Sequence, residues 1–211
     1  MIRNEADARD FVAARAQNTA AIGKLDRYEK LLSQENRQQN LVSGSSLQQV
    51  WARHFADSAQ LIDHVPRETS GPWLDLGSGA GLPGIVLAAL LPDSPVILVE
   101  SRKRRVEWLE RVVSDLSLQN CEVRGEKIER LEPLEASVIT ARAFAPLPKL
   151  LNLSARFSTS DTIWVLPKGR SAAQEVAELK PTHRKMFHVE QSASDPQAGI
   201  IVGKGKVVSE Q

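Results

Sequence analysis

The chain has 211 residues, 42% of them hydrophobic, enough to bury one sizeable core and too few for two full domains with linkers. Its 27 Lys and Arg against 26 Asp and Glu leave a net charge of +1, so bulk charge argues for no nucleic-acid partner and any basic footprint has to be local. The charged N-terminal stretch lacks the apolar core of a secretory signal, no apolar run approaches the ~18 residues of a membrane span, and one Cys with scattered His excludes a disulfide framework or a structural zinc site.

Residues 1–65 show helical periodicity and no strand pattern, through Phe11 and Val12, then Leu25, Tyr28, Leu31 and Leu32, then Val50, Trp51, Phe55, Ala59, Leu61 and Ile62. The breaker segment Pro66 to Pro72 closes this helical region and opens a second unit, 66–211. From Trp73 short apolar runs alternate with amphipathic stretches, the mark of a parallel βαβ sheet. Strands are expected at Trp73 to Leu76, Val96 to Val99, Cys121 to Val123, Val138 to Ala141 and Thr162 to Leu166, with weaker ones at Lys185 to Val189 and Ile200 to Val202. Helices are expected at Ile85 to Leu91, Lys103 to Leu116, Leu147 to Phe157 and Ala172 to Leu179. The reading is an α/β fold with a mostly parallel seven-stranded sheet and an N-terminal helical extension. Trp51, Trp73, Trp108 and Trp164 each lie on an apolar run or stripe and are expected in the core.

The first strand runs into Asp75-Leu76-Gly77-Ser78-Gly79-Ala80-Gly81-Leu82-Pro83-Gly84. Glycines there let the backbone turn sharply and let a ligand approach without a Cβ in the way, so the loop is expected to hold a nucleoside at the carboxyl edge of the sheet. Glu100 ends the second strand, about where an acid accepts hydrogen bonds from a ribose. Gly79-x-Gly81-x-x-Gly84 also satisfies a dinucleotide pattern, so the loop alone does not choose between NAD and S-adenosylmethionine. Three features favour the methyl donor. Asp75 precedes Gly77 by two residues and suits a cationic ligand, Glu126 or Glu129 follows the third strand where an adenine is usually held, and the chain lacks room for a dehydrogenase substrate domain.

After the fourth strand the sequence reads Thr140-Ala141-Arg142-Ala143-Phe144-Ala145-Pro146. It lacks the Asn- or Asp-Pro-Pro-aromatic element used on exocyclic amines. Cys121 lies away from the catalytic edge, which argues against pyrimidine carbon 5, and Arg142 stands where ribose methylation calls for Asp. A nucleophile with no proton to lose remains, such as guanine N7, and it needs positioning more than acid–base machinery. Arg142 suits that chemistry as the candidate catalytic residue, because it can hold a phosphate or the guanine O6 without titrating.

Asn40-Leu41, Arg53-His54-x-x-Asp57-Ser58, the loop Asp75 to Gly84, Glu100-Ser101-x-Lys103-Arg104, Arg142 to Leu147 and Lys168-Gly169 together resemble the RsmG (GidB) family of 16S ribosomal RNA guanine-N7 methyltransferases. The resemblance spans about Tyr28 to Lys204 and implies a class I, Rossmann-like methyltransferase acting on nucleotide 527 of 16S rRNA. It implies S-adenosylmethionine contacts from Gly77, Leu82, Ile128, Glu129 and Arg142, beside Asp75, Gly79 and Glu100 from the loop reading. Glu35 departs from the Trp that the family often carries before Asn36.

The expected partner is 16S rRNA or the 30S subunit, the compartment is the cytoplasm, and the protein is expected to be a monomer with no metal and no membrane contact. Arg53 and His54 read either as RNA contacts or as a structural cluster with Asp57 at i, i+4 and i, i+3 spacing. Arg102, Lys103, Arg104 and Arg105 oppose the dipole of the helix they start, and read either as a phosphate-binding rim or as a solvated face. Lys168 and Arg170 follow the fifth strand and are candidates for substrate phosphate. A small-molecule methyltransferase and a nucleotide-sensing RNA-binding protein are the competing functions.

Overall fold

The apolar runs after Pro72 become strands because most of them are covered on both faces. In a computed structural model that describes residues 2–209, they are β1 (Trp73–Leu76), β2 (Val96–Val99), β3 (Cys121–Arg124), β4 (Val138–Thr140), β5 (Ile163–Gly169), β6 (Phe187–Gln191) and β7 (Gly199–Lys204). Their order across the sheet is β3-β2-β1-β4-β5-β7-β6. The first five are parallel, and β7 is antiparallel to both its neighbours. Every residue of β1 and β4 is buried, as continuous apolar runs require, whereas the edge strand β3 alternates between half-buried and exposed.

Ahead of the sheet lie α1 (Glu5–Ala13), α2 (Ala21–Gln39) and α3 (Gly44–Leu47). The Asn4 side chain caps α1 on the Asp7 N–H, and Asn40 ends α2 in the left-handed conformation. A helical stretch then changes pitch twice, from a wide π turn (Trp51–Phe55) through α4 (Ala56–Ala59) to a tight 3-10 turn (Gln60–His64). Helices α5 (Gly84–Leu90), α6 (Lys103–Asp115), α7 (Leu147–Ser154) and α8 (Ala172–Ala177) follow β1, β2, β4 and β5, and α9 (Pro181–Arg184) precedes β6.

Two cores result, one on each face of the sheet. Leu25, Tyr28, Phe55, Trp73, Leu98 and Trp108 join the N-terminal helices to α5, α6 and one face, while Leu74, Leu76, Ile139, Leu150 and Trp164 join α7 and α8 to the other. Helix α5 has no exposed residue because α2 and α4 cover the side that the sheet does not. All four Trp are buried, as expected. Glu35 is buried as well, accepting from Gln39 and pairing with Arg111 of α6, so an ion pair ties α2 to α6 at the position of the departure.

Some boundaries differ from expectation. Strand β5 continues through Pro167 to Gly169, which Pro tolerates because pairing with β4 ends at Trp164 and leaves that side without a partner. The stretch expected as one helix to Phe157 tightens after Ser154 into a 3-10 turn (Ala155–Phe157), and α9 displaces the start of β6 from Lys185 to Phe187.

Candidate active site

Strand order reverses between β1 and β4, and the carboxyl ends of parallel strands at such a point form a crevice. The glycine loop leaves β1 there. Gly77 (φ 69°) and Gly79 (φ 57°) take left-handed conformations, which lets the N–H groups of Gly77 and Ser78 both reach the Val99 carbonyl (2.8 and 3.1 Å). From behind, Tyr28 Oη and Trp108 Nε1 each donate to the Ala80 carbonyl at 2.8 Å. Burial raises the Tyr28 hydroxyl far above its ordinary range, so it remains a donor.

Asp75 lies behind this loop and lines neither of the cavities described below. Its Oδ2 accepts from the Gly84 N–H at the start of α5 (3.1 Å), while Oδ1 has no hydrogen-bond partner among the described residues. Burial pushes its carboxyl up to about 7, against the pull of the Gly84 N–H and Arg142. Leu82 is also buried, packed into the core beneath the loop.

The first cavity, about 350 Å³, is bounded by Gly77, Glu100, Arg102, Arg105, Glu126, Ile128, Glu129 and Phe144. Glu100 is 6% exposed and accepts from the N–H groups of Gly79 (3.2 Å), Ser101 (2.8 Å) and Arg102 (2.9 Å). Its carboxylate therefore sits at the N-terminus of α6, which explains how that helix starts on four cations: the acid satisfies the dipole and pairs with Arg105 at 3.9 Å. The run splits by direction. Arg102 and Arg105 line this cavity, Lys103 is exposed and pairs with Glu107, and the Arg104 carbonyl accepts from Gln39. Arg156 holds the Ile128 carbonyl (2.7 Å) and so fixes the far wall.

The second cavity, about 680 Å³, opens on the other side of the segment Ala143–Phe144–Ala145, which is a wall of both. Arg53, His54, Asp57, Arg142, Lys168, Glu175 and Asp195 line it. Arg142 Nη1 donates to His54 Nδ1 (3.1 Å) and lies 3.7 Å from Asp57 Oδ2. Of the two readings open for Arg53, the i, i+4 partner offered by the structural one is not the partner seen: Arg53, on the π turn, pairs with Asp195 in the β6–β7 loop (3.2 Å). Lys168 donates to the Ala145 carbonyl (2.6 Å) and pairs with Glu175 (2.9 Å), whose Oε2 also accepts from the Leu147 N–H (2.8 Å). It anchors the dividing segment. Arg170 is exposed beside Asp195 and outside the cavity lining.

A family model described as GidB, rRNA small subunit methyltransferase G, matches residues 21–196. The Ribosomal RNA small subunit methyltransferase G of Erythrobacter litoralis is 58% identical over 98% of this chain and 99% of its own, and that of Sphingopyxis alaskensis is 47% identical over 98% and 89%. This chain belongs to the ribosomal RNA small subunit methyltransferase G family. A SAM-dependent methyltransferase from Aquifex aeolicus superposes with a TM-score of 0.60 at 15% identity, covering 84% of this chain and 98% of its own. The ribosomal protein L11 methylase of Lactobacillus delbrueckii gives 0.57 at 10% identity, over 72% and 79%. The fold is that of the class I methyltransferases, here with the helical N-terminal region added.

Within this family member the first cavity fits a nucleoside donor. Gly77 offers a wall without a Cβ, Ile128 an apolar face, and Glu100 and Glu129 carboxylates at the rim. No group of three or more His, Cys, Asp or Glu among the described residues is placed to hold a metal ion, and no described helix is long and apolar enough to cross a membrane. Phe144, Asp57, Glu175 and Asp195 were absent from the sequence-derived site. Phe144 and Asp57 at least lay inside quoted motifs. Glu175 and Asp195 carry no local signal, since their roles come from distant segments brought together.

Proposed function

We propose that the chain transfers a methyl group from S-adenosylmethionine to N7 of a guanine, nucleotide 527 of 16S ribosomal RNA, with the first cavity for the donor and the second for the RNA. Gly77, Glu100, Ile128 and Glu129, which line the first cavity, hold the donor, Gly79, Asp75 and Leu82 shape the loop behind it, and Arg142, which lines the second cavity and not the first, orients the reacting groups. When bound, the donor would supply an electrophilic methyl group on a cationic sulfur, its carbon–sulfur bond breaking to leave a neutral thioether while the positive charge passes to the guanine. The N7 lone pair accepts the methyl group without releasing a proton, so this chain's residues have only to align the two partners and exclude water.

One observation carries the choice of N7: His54, Glu175 and Asp195, which line the second cavity, are each shifted away from neutrality, whereas Asp75, raised to about 7, lies behind the glycine loop and lines neither cavity. Burial, with Arg142 and Arg53 beside it, lowers His54 to about 3. Burial would raise the Glu175 carboxyl, yet hydrogen bonds from Lys168, Ser171 and Leu147 hold it below its usual range, and the Gln197 N–H with Arg53 does the same for Asp195. A site that had to remove a proton would keep a base poised near neutral pH. Exposed Arg53 and Arg170 supply the local basic footprint for phosphate. On this proposal a monomeric enzyme meets its RNA in the cytoplasm.

Incubation with labelled donor and naked 16S rRNA, 30S subunits, small-molecule acceptors or no acceptor tests this reading, followed by digestion and mass analysis of the nucleosides. Label in 7-methylguanosine at the proposed nucleotide is the expected result. Label on an exocyclic amine, a ribose oxygen or a small molecule would overturn it, as would donor binding with no transfer at all.

A further inference from the structure

We infer that His54 is a positioning residue for Arg142: the ring accepts from the guanidinium on one side and is tied to the backbone on the other, fixing the arginine at the mouth of the acceptor cavity. This rests on the role proposed above for Arg142. An arginine has no acceptor, so in the 3.1 Å contact His54 Nδ1 must present its lone pair. The ring proton then sits on Nε2, which lies 3.0 Å from Ser46 Oγ. Ser46 Oγ accepts from Ser43 Oγ (2.8 Å) and donates to the Ser43 carbonyl (2.9 Å), at the residue that caps α3. The relay from Arg142 thus ends on main chain.

The π turn is what brings the ring there. An extra residue in the turn displaces its side chains from the ordinary helical faces, and the Ser58 hydroxyl takes up the His54 carbonyl (2.7 Å). Asp57 supplies the second hold on Arg142, with its Oδ1 accepting from Gln60 (3.0 Å) and Ser194 (2.8 Å). The charged groups around the ring are Arg53 and Asp57 from its own helix, Arg142 from the residue just before the dividing segment, and Asp195, paired with Arg53, from the β6–β7 loop. A neutral ring that is 7% exposed, with both nitrogens engaged, has no atom to offer a phosphate. An RNA contact is therefore the weaker assignment for this residue.

The test compares His54→Ala, His54→Asn and His54→Gln. Asn carries its carbonyl oxygen where Nδ1 stands, whereas Gln extends to the position of Nε2. Single-turnover transfer at saturating donor and RNA is expected to fall on the order of 10²-fold in His54→Ala and His54→Gln. His54→Asn is expected to recover most of that rate, with unchanged RNA affinity and a retained thermal transition in all three. Nitrogen-15 NMR of the wild-type protein should show a bare Nδ1 and a protonated Nε2 from about pH 5 to about pH 8. Asn performing no better than Gln, a loss explained by weaker RNA binding, or an Nδ1–H ring would each overturn the inference. If the wild type methylates a different atom, the functional reading fails while the tautomer and the order of the variants still decide the role of His54.

Discussion

At the scale of single residues, Asp75 carries the clearest thermodynamic signature. Its folded value of about 7 lies above the ordinary 3.8, so between these values the folded chain binds more protons than the unfolded one, and stability falls as pH rises through that window. The three-unit shift is worth about 4 kcal/mol, as an order of magnitude. Asp75→Asn keeps the shape and the acceptor for Gly84 but cannot ionise. Urea unfolding is expected to show this variant gaining on the wild type by a few kcal/mol from about pH 4 to about pH 8, with no further gain above. Parallel curves would place a solvated carboxylate there. Arg142 belongs to the same scale. Arg142→Ala is expected to slow transfer by ~10² or more, and Arg142→Lys to recover only part, because Lys lacks the planar fork. Single-turnover rates of the wild type and of both variants should vary little across neutral pH, since His54 at about 3 stays neutral there and Asp75, which titrates near 7, lines neither cavity. A tenfold change per pH unit in the chemical step would mean that a proton must leave.

Among elements, the segment Ala143–Phe144–Ala145 and the glycine loop face each other. A Cβ on Gly77 would lie 2.4 Å from the Phe144 ring, and the φ of 69° is strained for any other residue. Gly77→Ala is therefore expected to weaken donor binding in calorimetry by displacing the ring, even before the larger, charged Gly77→Asp abolishes it. Equal affinities in the wild type and Gly77→Ala would remove the ring from the donor wall. The strands were legible from sequence to within a few residues because burial on both faces writes continuous apolar runs, as in Trp73 to Leu76 and Val96 to Val99. The π turn was not legible. Its residues Trp51 to Phe55 satisfy ordinary helical periodicity, and the extra residue is set by what His54, Ser58 and Asp57 meet in the folded chain. For the same reason Lys168 read as a phosphate ligand, whereas the fold turns its ammonium onto the Ala145 carbonyl and Glu175.

For the whole molecule, the net charge of +1 makes the distribution of cations decisive. Arg102 and Arg105 border the first cavity, proposed for the donor, while Arg53 borders the second, proposed for the RNA, and Arg170 lies beside it, a partition that no linear run reveals. Arg170→Gln is expected to lower the magnitude of the log–log salt slope of RNA binding by roughly 0.7 to 0.9, while Arg105→Gln leaves it unchanged and weakens the donor. A slope lost in Arg105→Gln instead would move the RNA track onto α6. The wall common to both cavities has one more implication. Free energy depends only on the state reached, so the factor by which RNA alters donor affinity must equal the factor by which donor alters RNA affinity. Two titrations measure it, and in Phe144→Ala both factors should move together toward one. A ring that belongs to two rooms makes the order of entry irrelevant to the final balance, and leaves each guest able to raise or lower the threshold for the other.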